Sequence, residues 1–269
     1  MSDELTDAEM LARHRGALVR RNWIVRIVQV LVLVAFLALW EIASGRWIET
    51  FWISSPSLVA VRLWEWFSTG FIWPHLGVTL LETFLGFAVG TVLALILGIT
   101  LGLFPLARRI ANPFLTAIYA LPKIALAPLF IVYLGIGLAM KVTLVGLIVF
   151  FLVFYIVLDA TRSVDADLRA VVRVSGARPA SLLRVLILPS SFGSILTAMK
   201  VALPYAFQGA IFAEILASIQ GLGYLIQYSA AGFDITGIFA GIVVITVVAV
   251  AANQLVEVLE QRTQAWRLG

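Results

Sequence analysis

The sequence predicts an all-α, polytopic membrane protein with six transmembrane helices. Of its 269 residues, 62% are hydrophobic and only 13% are charged, whereas about 25% of residues are charged in ordinary globular domains. The mean hydropathy is +1.04, and several apolar runs are long enough to cross a bilayer. Backbone groups in lipid must bond within the protein, which leaves helices or closed barrels. The apolar runs are continuous rather than alternating, and this favours helices.

Six apolar runs are predicted to span the membrane, at residues 24–43, 76–103, 113–136, 142–158, 192–216 and 237–256. The first run is too long for a signal peptide and is expected to be retained. The tryptophan-rich segment 46–74 is typical of a membrane interface, and residues 58–67 within it are predicted to form an interfacial helix. Segments 105–112 and 221–236 are predicted to be a turn and a glycine-rich loop.

The second span carries glycines at a spacing suited to close helix packing. Gly86 and Gly90 form one pair four residues apart, and Gly98 and Gly102 form another. Small residues at this spacing let the backbones of two membrane helices approach each other. We therefore expect this span to pack closely against another.

The basic residues predict the orientation of the spans. Fourteen of the 19 lysines and arginines lie in the N-terminal segment, in the turn at 105–112, in residues 162–184 or in the C-terminal tail. Arg46, Arg62 and Lys141 would lie on the opposite side. Because cytoplasmic segments are enriched in lysine and arginine, both termini and the polar segment 165–189 are predicted to be cytoplasmic.

The polar segment 165–189 reads as two short helices separated at Gly176. Leu168, Val171, Val172 and Ser175 share one face of the first helix, and Asp165 is a plausible N-cap for it. Pro189 is expected to mark the turn into the next span. Positive-inside arginines explain the charge of this segment but not its amphipathic faces, which suit a partner's groove.

The chain lacks the residues of an ATP site, a metal site or a catalytic centre. A Walker A loop needs Gly-Lys-Ser/Thr, but Pro122, Met140 and Met199 precede the three lysines. There are no cysteines and only two histidines, His14 and His75. Neither a cofactor nor an enzymatic activity is expected, and any ATP that drives the protein would be bound by a partner chain.

The polar segment resembles the cytoplasmic loop of permease subunits from binding-protein-dependent ABC importers. That loop has Glu-Ala-Ala, three residues, Gly, nine residues, Ile, one residue and Leu-Pro. Counting from Gly176, the later positions are Leu186, Leu188 and Pro189, whereas Ala170 stands where the family has glutamate. The missing glutamate removes any salt bridge from that position, while the glycine and the spacing are retained.

Two further blocks resemble the nitrate/sulfonate/taurine branch of these permeases. Residues 112–137 contain Pro122-Lys123 and a later Gly-x-Gly, and Ala213-Glu214 is followed by Gly-Leu-Gly-Tyr at 221–224. The resemblance covers residues from about 40 to about 266. It implies a type I importer permease: a single transmembrane domain at residues 24–260, coupling helices at 165–188, and cytoplasmic segments at 1–23 and 261–269.

The resemblance also implies partners and a location. Two cytoplasmic ATP-binding subunits, an extracytoplasmic solute-binding protein and a second permease copy in a homodimer are expected, in a bacterial inner membrane. The solute would be a small anion such as a sulfonate, taurine or nitrate. Residues expected to couple to the ATPase are Asp167, Arg169, Arg173, Gly176, Ala177, Arg178, Leu186, Leu188 and Pro189.

Intramembrane polar and helix-breaking residues are candidates for the translocation pathway or gate, namely Lys200, Pro204, Gln208 and Glu214. Glu214 would alternatively be interfacial, and Lys200 would alternatively reach the interface or another helix. A stand-alone channel or ion-coupled carrier is a second hypothesis, with Glu82, Lys123, Lys200 and Glu214 as its available charges. An intramembrane enzyme lacks a plausible catalytic cluster.

Overall fold

The computed structural model describes residues 7–175 and 179–264, and every regular element in these ranges is helical. The twelve α-helices are α1 (Asp7–Ala43), α2 (Thr50–Ile53), α3 (Pro56–Ser68), α4 (Ile72–Leu103), α5 (Pro105–Ala120), α6 (Ala127–Leu134), α7 (Leu138–Arg162), α8 (Ala166–Val174), α9 (Pro179–Leu182), α10 (Leu188–Leu216), α11 (Leu222–Ala231) and α12 (Ile235–Gln264). A 3₁₀ turn at Lys123–Leu126 precedes α6, and a π turn at Leu183–Ile187 precedes α10.

The described chain contains five helices that are long and apolar enough to cross a membrane. A sixth span results if α5 and the segment Lys123–Leu134, which meet at an 85° bend, are counted together. This agrees with the predicted all-α fold and its six spans. The helix predicted at 58–67 is present as α3, while its place at a membrane interface stays a prediction.

The chain divides into two compact units, Met1–Leu63 and Trp64–Gly269. Within the first unit, Glu41 near the end of α1 receives two hydrogen bonds from Ser57 at the start of α3. The Ser57 backbone N–H donates at 3.0 Å and its hydroxyl at 2.7 Å. A carboxylate at a helix N-terminus accepts otherwise unpaired N–H groups and suits the helix dipole. This contact fixes the connection between α1 and α3.

The second unit is organised around α4, α7 and α10. Its core consists mainly of valines on α7 and alanines on α10, including Val145, Val149, Val153, Val157, Ala198, Ala202, Ala206 and Ala210. All four glycines singled out on α4 face α7, where an added Cβ would meet Val145, Gly146, Val157 or Thr161. The predicted close packing of this span is therefore confirmed.

Replacing Gly90 with alanine is expected to destabilise the second unit. The new Cβ would lie 2.5 Å from the Gly146 carbonyl oxygen and 2.9 Å from Val149 Cβ, and overpacking of this kind costs about 1–3 kcal/mol. Gly77→Ala is the matched control on the same helix, because nothing lies within 4 Å of its Cβ. Unfolding of the purified variants in mixed micelles should show a lower free energy of unfolding for Gly90→Ala alone. Equal stability of the two variants would contradict the packing described here.

The predicted turn at 105–112 is wrong, because these residues begin α5. Pro105 occupies the first helical turn, where its missing N–H leaves no bond unmade. The break comes instead at Leu121 (φ −67°, ψ 138°), which precedes Pro122. A residue before proline is pushed towards extended backbone, so the helix ends there.

Two further predictions about the second half are wrong. Pro189 does not mark a turn, since helical backbone runs without interruption from Leu183 to Leu216. The π turn at Leu183–Ile187 ends two residues before this proline, and a π turn relaxes the usual i→i−4 pairing that proline disrupts. The predicted loop at 221–236 contains α11, because Gly221 (φ 118°) turns the chain into a new helix.

Candidate functional site

The residues predicted to couple to an ATPase lie on the segment that joins α7 to α10. Asp167 is in the first turn of α8, and its N–H donates to Asp165 Oδ1 at 2.7 Å, as expected of an N-cap. Arg169 and Arg173 belong to α8, while Gly176, Ala177 and Arg178 lie outside the described residues. The later residues of this set, Leu186 in the π turn and Leu188 and Pro189 at the start of α10, lie on helical backbone.

One face of α8 is apolar and uncovered. Leu168 is 51% exposed and Val171 62% exposed, and Val174 beyond them is 89% exposed. Burying such side chains is worth roughly 1.5–3 kcal/mol each, so a short helix that leaves them exposed forgoes this stabilisation. α8 therefore presents a ready apolar contact surface between two core helices.

Of the four residues predicted for the pathway, Pro204 and Gln208 share a groove, whereas Lys200 and Glu214 lie elsewhere. Lys200 pairs with Glu257 of α12 at 3.5 Å, and both side chains are partly exposed. Pro204 and Gln208 line a groove of about 350 Å³ between α10 and α12. Gln208 also lines a separate cavity of about 340 Å³ with Lys123. Lys123 lies at the bend after α5; the sequence offered it as one of four intramembrane charges and as part of the Pro122-Lys123 block, but did not place it with Gln208.

Glu214 is buried and does not line either of these cavities. Its Oε1 accepts a hydrogen bond from the Thr79 hydroxyl at 2.7 Å, and its Oε2 accepts one from the Gly223 N–H at 2.6 Å. The Leu222 N–H donates to Thr79 Oγ1 at 2.8 Å. The carboxylate therefore joins the end of α10 to α4 and to the first turn of α11, whose unpaired N–H groups favour negative charge.

A buried ion pair lies beside Glu214. Lys141 on α7 donates to Glu82 Oε1 on α4 and to the Ser218 hydroxyl, each at 2.7 Å, and Lys141 and Glu82 are both more than 95% buried. We call Thr79, Glu82, Lys141, Glu214 and Ser218 the polar cluster. It connects three core helices with the turn that follows α10.

The loop glycines allow the backbone to approach Glu214. At Gly221 an added Cβ would collide with the Glu214 carboxyl group, and at Gly223 it would lie 2.5 Å from the Ile211 carbonyl oxygen. The Gly221 N–H also donates to His75 Nδ1 at 3.1 Å, and the His75 ring stacks on Tyr224. The Gly-Leu-Gly-Tyr block is thus explained by close packing around a buried carboxylate.

The sequence alone did not reveal the polar cluster. Lys141 was predicted to lie on the face opposite the cytoplasm, yet it is buried against Glu82, 59 positions away in the chain. Its position at the start of α7, after Gly135 and Gly137, made it look like a loop residue. Among the described residues, no group of three His, Cys, Asp or Glu side chains could hold a metal ion.

Comparisons with known proteins agree with this architecture. The Bacillus subtilis (strain 168) protein named "Putative aliphatic sulfonates transport permease protein SsuC" is 28% identical over 263 residues, which is 97% of this chain and 94% of that protein. A riboflavin transport system permease of Chloroflexus aurantiacus is 32% identical over 216 residues, 80% of this chain and 81% of that protein. A crystal structure of an amino acid ABC transporter with histidines aligns with a TM-score of 0.60 at 16% identity, covering 72% of this chain and 95% of that one, and so supports the fold.

The family match covers most of the chain. The family described as binding-protein-dependent transport system inner membrane component matches residues 90–265. That range contains α7, α8, α10 and α11, with the uncovered face of α8 and most of the polar cluster. Such permeases work with ATP-binding subunits and a binding protein and are not themselves catalytic. The chain therefore belongs to this family and is a multi-pass membrane permease subunit of an ABC importer.

Proposed function

We propose that the chain forms the translocation pathway of an importer for a small organic or inorganic anion and is moved by ATP-binding subunits docked on α8. The observation that carries this proposal is the uncovered apolar face of α8, whose Leu168 and Val171 are both more than half exposed. An apolar helix face of this kind suits a complementary groove on a partner.

The position of α8 connects it to two core helices. It follows α7 after three residues and precedes the helical stretch that becomes α10, and α7 and α10 share the valine and alanine core. A displacement of α8 therefore acts on two packed spans together. Packed helices shift between discrete arrangements rather than deforming continuously, so closure of the ATP-binding subunits would switch the spans between two states.

We further propose the composition and orientation of the complete transporter. Two permease copies form the pathway, two ATP-binding subunits lie on the cytoplasmic side, and a solute-binding protein delivers the solute from outside a bacterial inner membrane. The cytoplasmic residues would be 1–23, the coupling helices at 165–188 and the tail at 261–269, as the distribution of basic residues favours. A sulfonate-like solute is supported by similarity over 97% of the chain to the Bacillus subtilis relative.

Introducing a charge on the exposed face of α8 is expected to uncouple the permease from its ATP-binding subunits. Val171→Asp would bury an unpaired carboxylate in the interface, at a cost of several kcal/mol, so co-purification of the ATP-binding subunit should fall by more than about tenfold. Ala170→Asp is the matched control, because Ala170 is exposed and lies away from the Leu168–Val171 face. It should retain the subunit.

The measurement is the amount of ATP-binding subunit recovered per permease, together with ATP hydrolysis stimulated by the binding protein. Size-exclusion chromatography of the permease alone would show that both variants are folded. Full recovery of the subunit with Val171→Asp would refute docking on this face. Equal loss with both variants would refute the assignment of the apolar face as the contact.

A further inference from the structure

The cavity that contains Lys123 has the character of an anion site. It has a volume of about 340 Å³ and is lined by Tyr119, Lys123, Phe151, Tyr205, Gln208 and several apolar side chains. Among the described residues that line it, only Lys123 is charged. An uncompensated cation in largely apolar surroundings favours an anionic ligand, since electrostatic attraction is stronger beside apolar groups than in bulk water. We call this space the lysine cavity.

Lys123 is held in the lysine cavity by the bend after α5. Its Nζ donates to the Tyr119 carbonyl oxygen at 2.9 Å and lies 4.5 Å from the Tyr119 ring centroid and 5.2 Å from that of Phe151. A cation is favourable at a helix C-terminus and over aromatic faces. Neither contact neutralises the charge, so the ammonium group is positioned and still able to bind an anion.

A second cationic cavity lies further along the same two helices. It has a volume of about 450 Å³ and is lined by Arg108, Arg109, Asn112, Tyr155, Leu158, Asp159 and Arg162. Three arginines face a single aspartate, so the lining carries net positive charge. We call it the arginine cavity. Arg108 precedes Tyr119 on α5 by eleven residues and Arg162 follows Phe151 on α7 by eleven, which is about 16 Å in each case.

Two tyrosines in ring contact connect the linings of the two cavities. Tyr119 lines the lysine cavity and Tyr155 lines the arginine cavity, and their rings meet edge to face with centroids 4.9 Å apart. Such aromatic pairs are worth about 0.5–1.5 kcal/mol beyond the burial of their surface. The pair is therefore a contact that a modest movement of α5 against α7 would open.

We propose that Lys123 and Gln208 bind the anionic group of the solute in the lysine cavity, and that the Tyr119–Tyr155 pair gates its passage to the arginine cavity. This inference rests on the proposed function of the chain as a permease for anions. It names Lys123 as a specificity-determining residue and Tyr155 as a gate residue. The arginine cavity would then receive the anion at the cytoplasmic end of the pathway.

The absence of cysteine from the chain permits a test that needs neither the natural solute nor ATP. Leu152, on α7, lines the lysine cavity, and Leu152→Cys would place a single thiol there. The probes are 2-sulfonatoethyl methanethiosulfonate, an anion, and 2-(trimethylammonio)ethyl methanethiosulfonate, a cation. In each case the thiolate attacks the sulfenyl sulfur, a mixed disulfide forms and methanesulfinate leaves. Thr69→Cys, at an exposed turn, corrects for intrinsic reagent reactivity.

The expected result is that the preference for the anionic over the cationic reagent is about tenfold greater at Leu152→Cys than at Thr69→Cys, as one nearby charge in a largely apolar site would give. Adding Lys123→Met should abolish this preference, and Lys123→Arg should retain it. In inside-out vesicles, adding Tyr155→Ala should speed anionic labelling severalfold. Elution of each variant as a single species in size-exclusion chromatography confirms folding.

Equal labelling by the two reagents, or a preference that survives Lys123→Met, would overturn the anion site. Unchanged labelling with Tyr155→Ala would overturn the gate. None of these results depends on an ATP-binding subunit, so they leave the coupling of α8 untouched. Conversely, full recovery of the ATP-binding subunit with Val171→Asp, with charge selectivity preserved at Leu152→Cys, would refute docking on α8 and not the anion site in the cavity.

Discussion

Replacing Lys141 with methionine is expected to lower the free energy of unfolding by about 3–5 kcal/mol, the usual cost of removing one partner from a buried ion pair. Lys141 is 4% exposed and Glu82 is 3% exposed, and the Glu82 carboxylate would be left without its counter-ion. Glu82 Oε2 already lacks a hydrogen-bond partner among the described residues. The carboxylate of Glu214 lies in the same polar cluster, so like-charge repulsion would add to the loss.

The control for this prediction is to remove both charges. Because an unpaired buried charge is the source of the cost, the double variant Lys141→Met/Glu82→Met should recover most of the lost stability. Lys200→Met breaks the more exposed pair with Glu257, at 3.5 Å, and should cost less than about 1 kcal/mol. Unfolding by sodium dodecyl sulfate in mixed micelles measures all three. A double variant as unstable as Lys141→Met would show that charge burial is not the cause.

The number and order of the spans follow from local properties of the sequence. A run of apolar residues long enough to cross a bilayer must form a helix, and this holds wherever its neighbours lie. The same locality explains why α8 was predicted, since the spacing of Leu168 and Val171 is visible within one helical turn. It also explains why the family motif around residue 176 was recognisable with its glutamate replaced by Ala170.

The polar cluster could not be predicted because its contacts are long-range. Thr79 and Glu214 are 135 positions apart, and Lys141 and Ser218 are 77 apart. Nothing in the spacing of single charges within apolar runs specifies which of them meet. α11 was missed for a related reason, since Gly221 and Gly223 read as turn residues although the nearby Glu214 carboxylate requires them.

Replacing Gly221 with alanine is expected to reduce solute uptake by the complete transporter more than about tenfold. Gly221 has φ 118°, a backbone conformation that strains other residues, and its added Cβ would collide with the carboxyl group of Glu214. Glu214 would have to move, losing its bonds to Thr79 and to the Gly223 N–H. A displaced carboxylate left buried costs several kcal/mol, which corresponds to a reduction of more than about tenfold in the fraction of the protein that keeps α11 in its native position.

Gly232→Ala is the matched control for uptake, since Gly232 ends α11 with φ −88° and its nearest Cβ contacts, at 3.6 and 3.8 Å, are ordinary. Uptake of radiolabelled ethanesulfonate into proteoliposomes that contain the ATP-binding subunits and the binding protein would compare the two. Uptake by Gly221→Ala at the native rate would show that transport does not need the close packing of Gly221 against Glu214.

The same variant distinguishes two roles for Glu214. If the polar cluster holds α11 against α4 and α10, Gly221→Ala and Glu214→Gln should both reduce uptake of every transported solute by a similar factor. Each should still retain the ATP-binding subunit, because α8 lies on another segment. If Glu214 instead lines the pathway, Glu214→Gln should alter the preference between anionic and neutral solutes. The burial of Glu214 behind Thr79 and Gly223 favours the first outcome. It is consistent with the proposal that Lys123, and not Glu214, contacts the charged group of the solute.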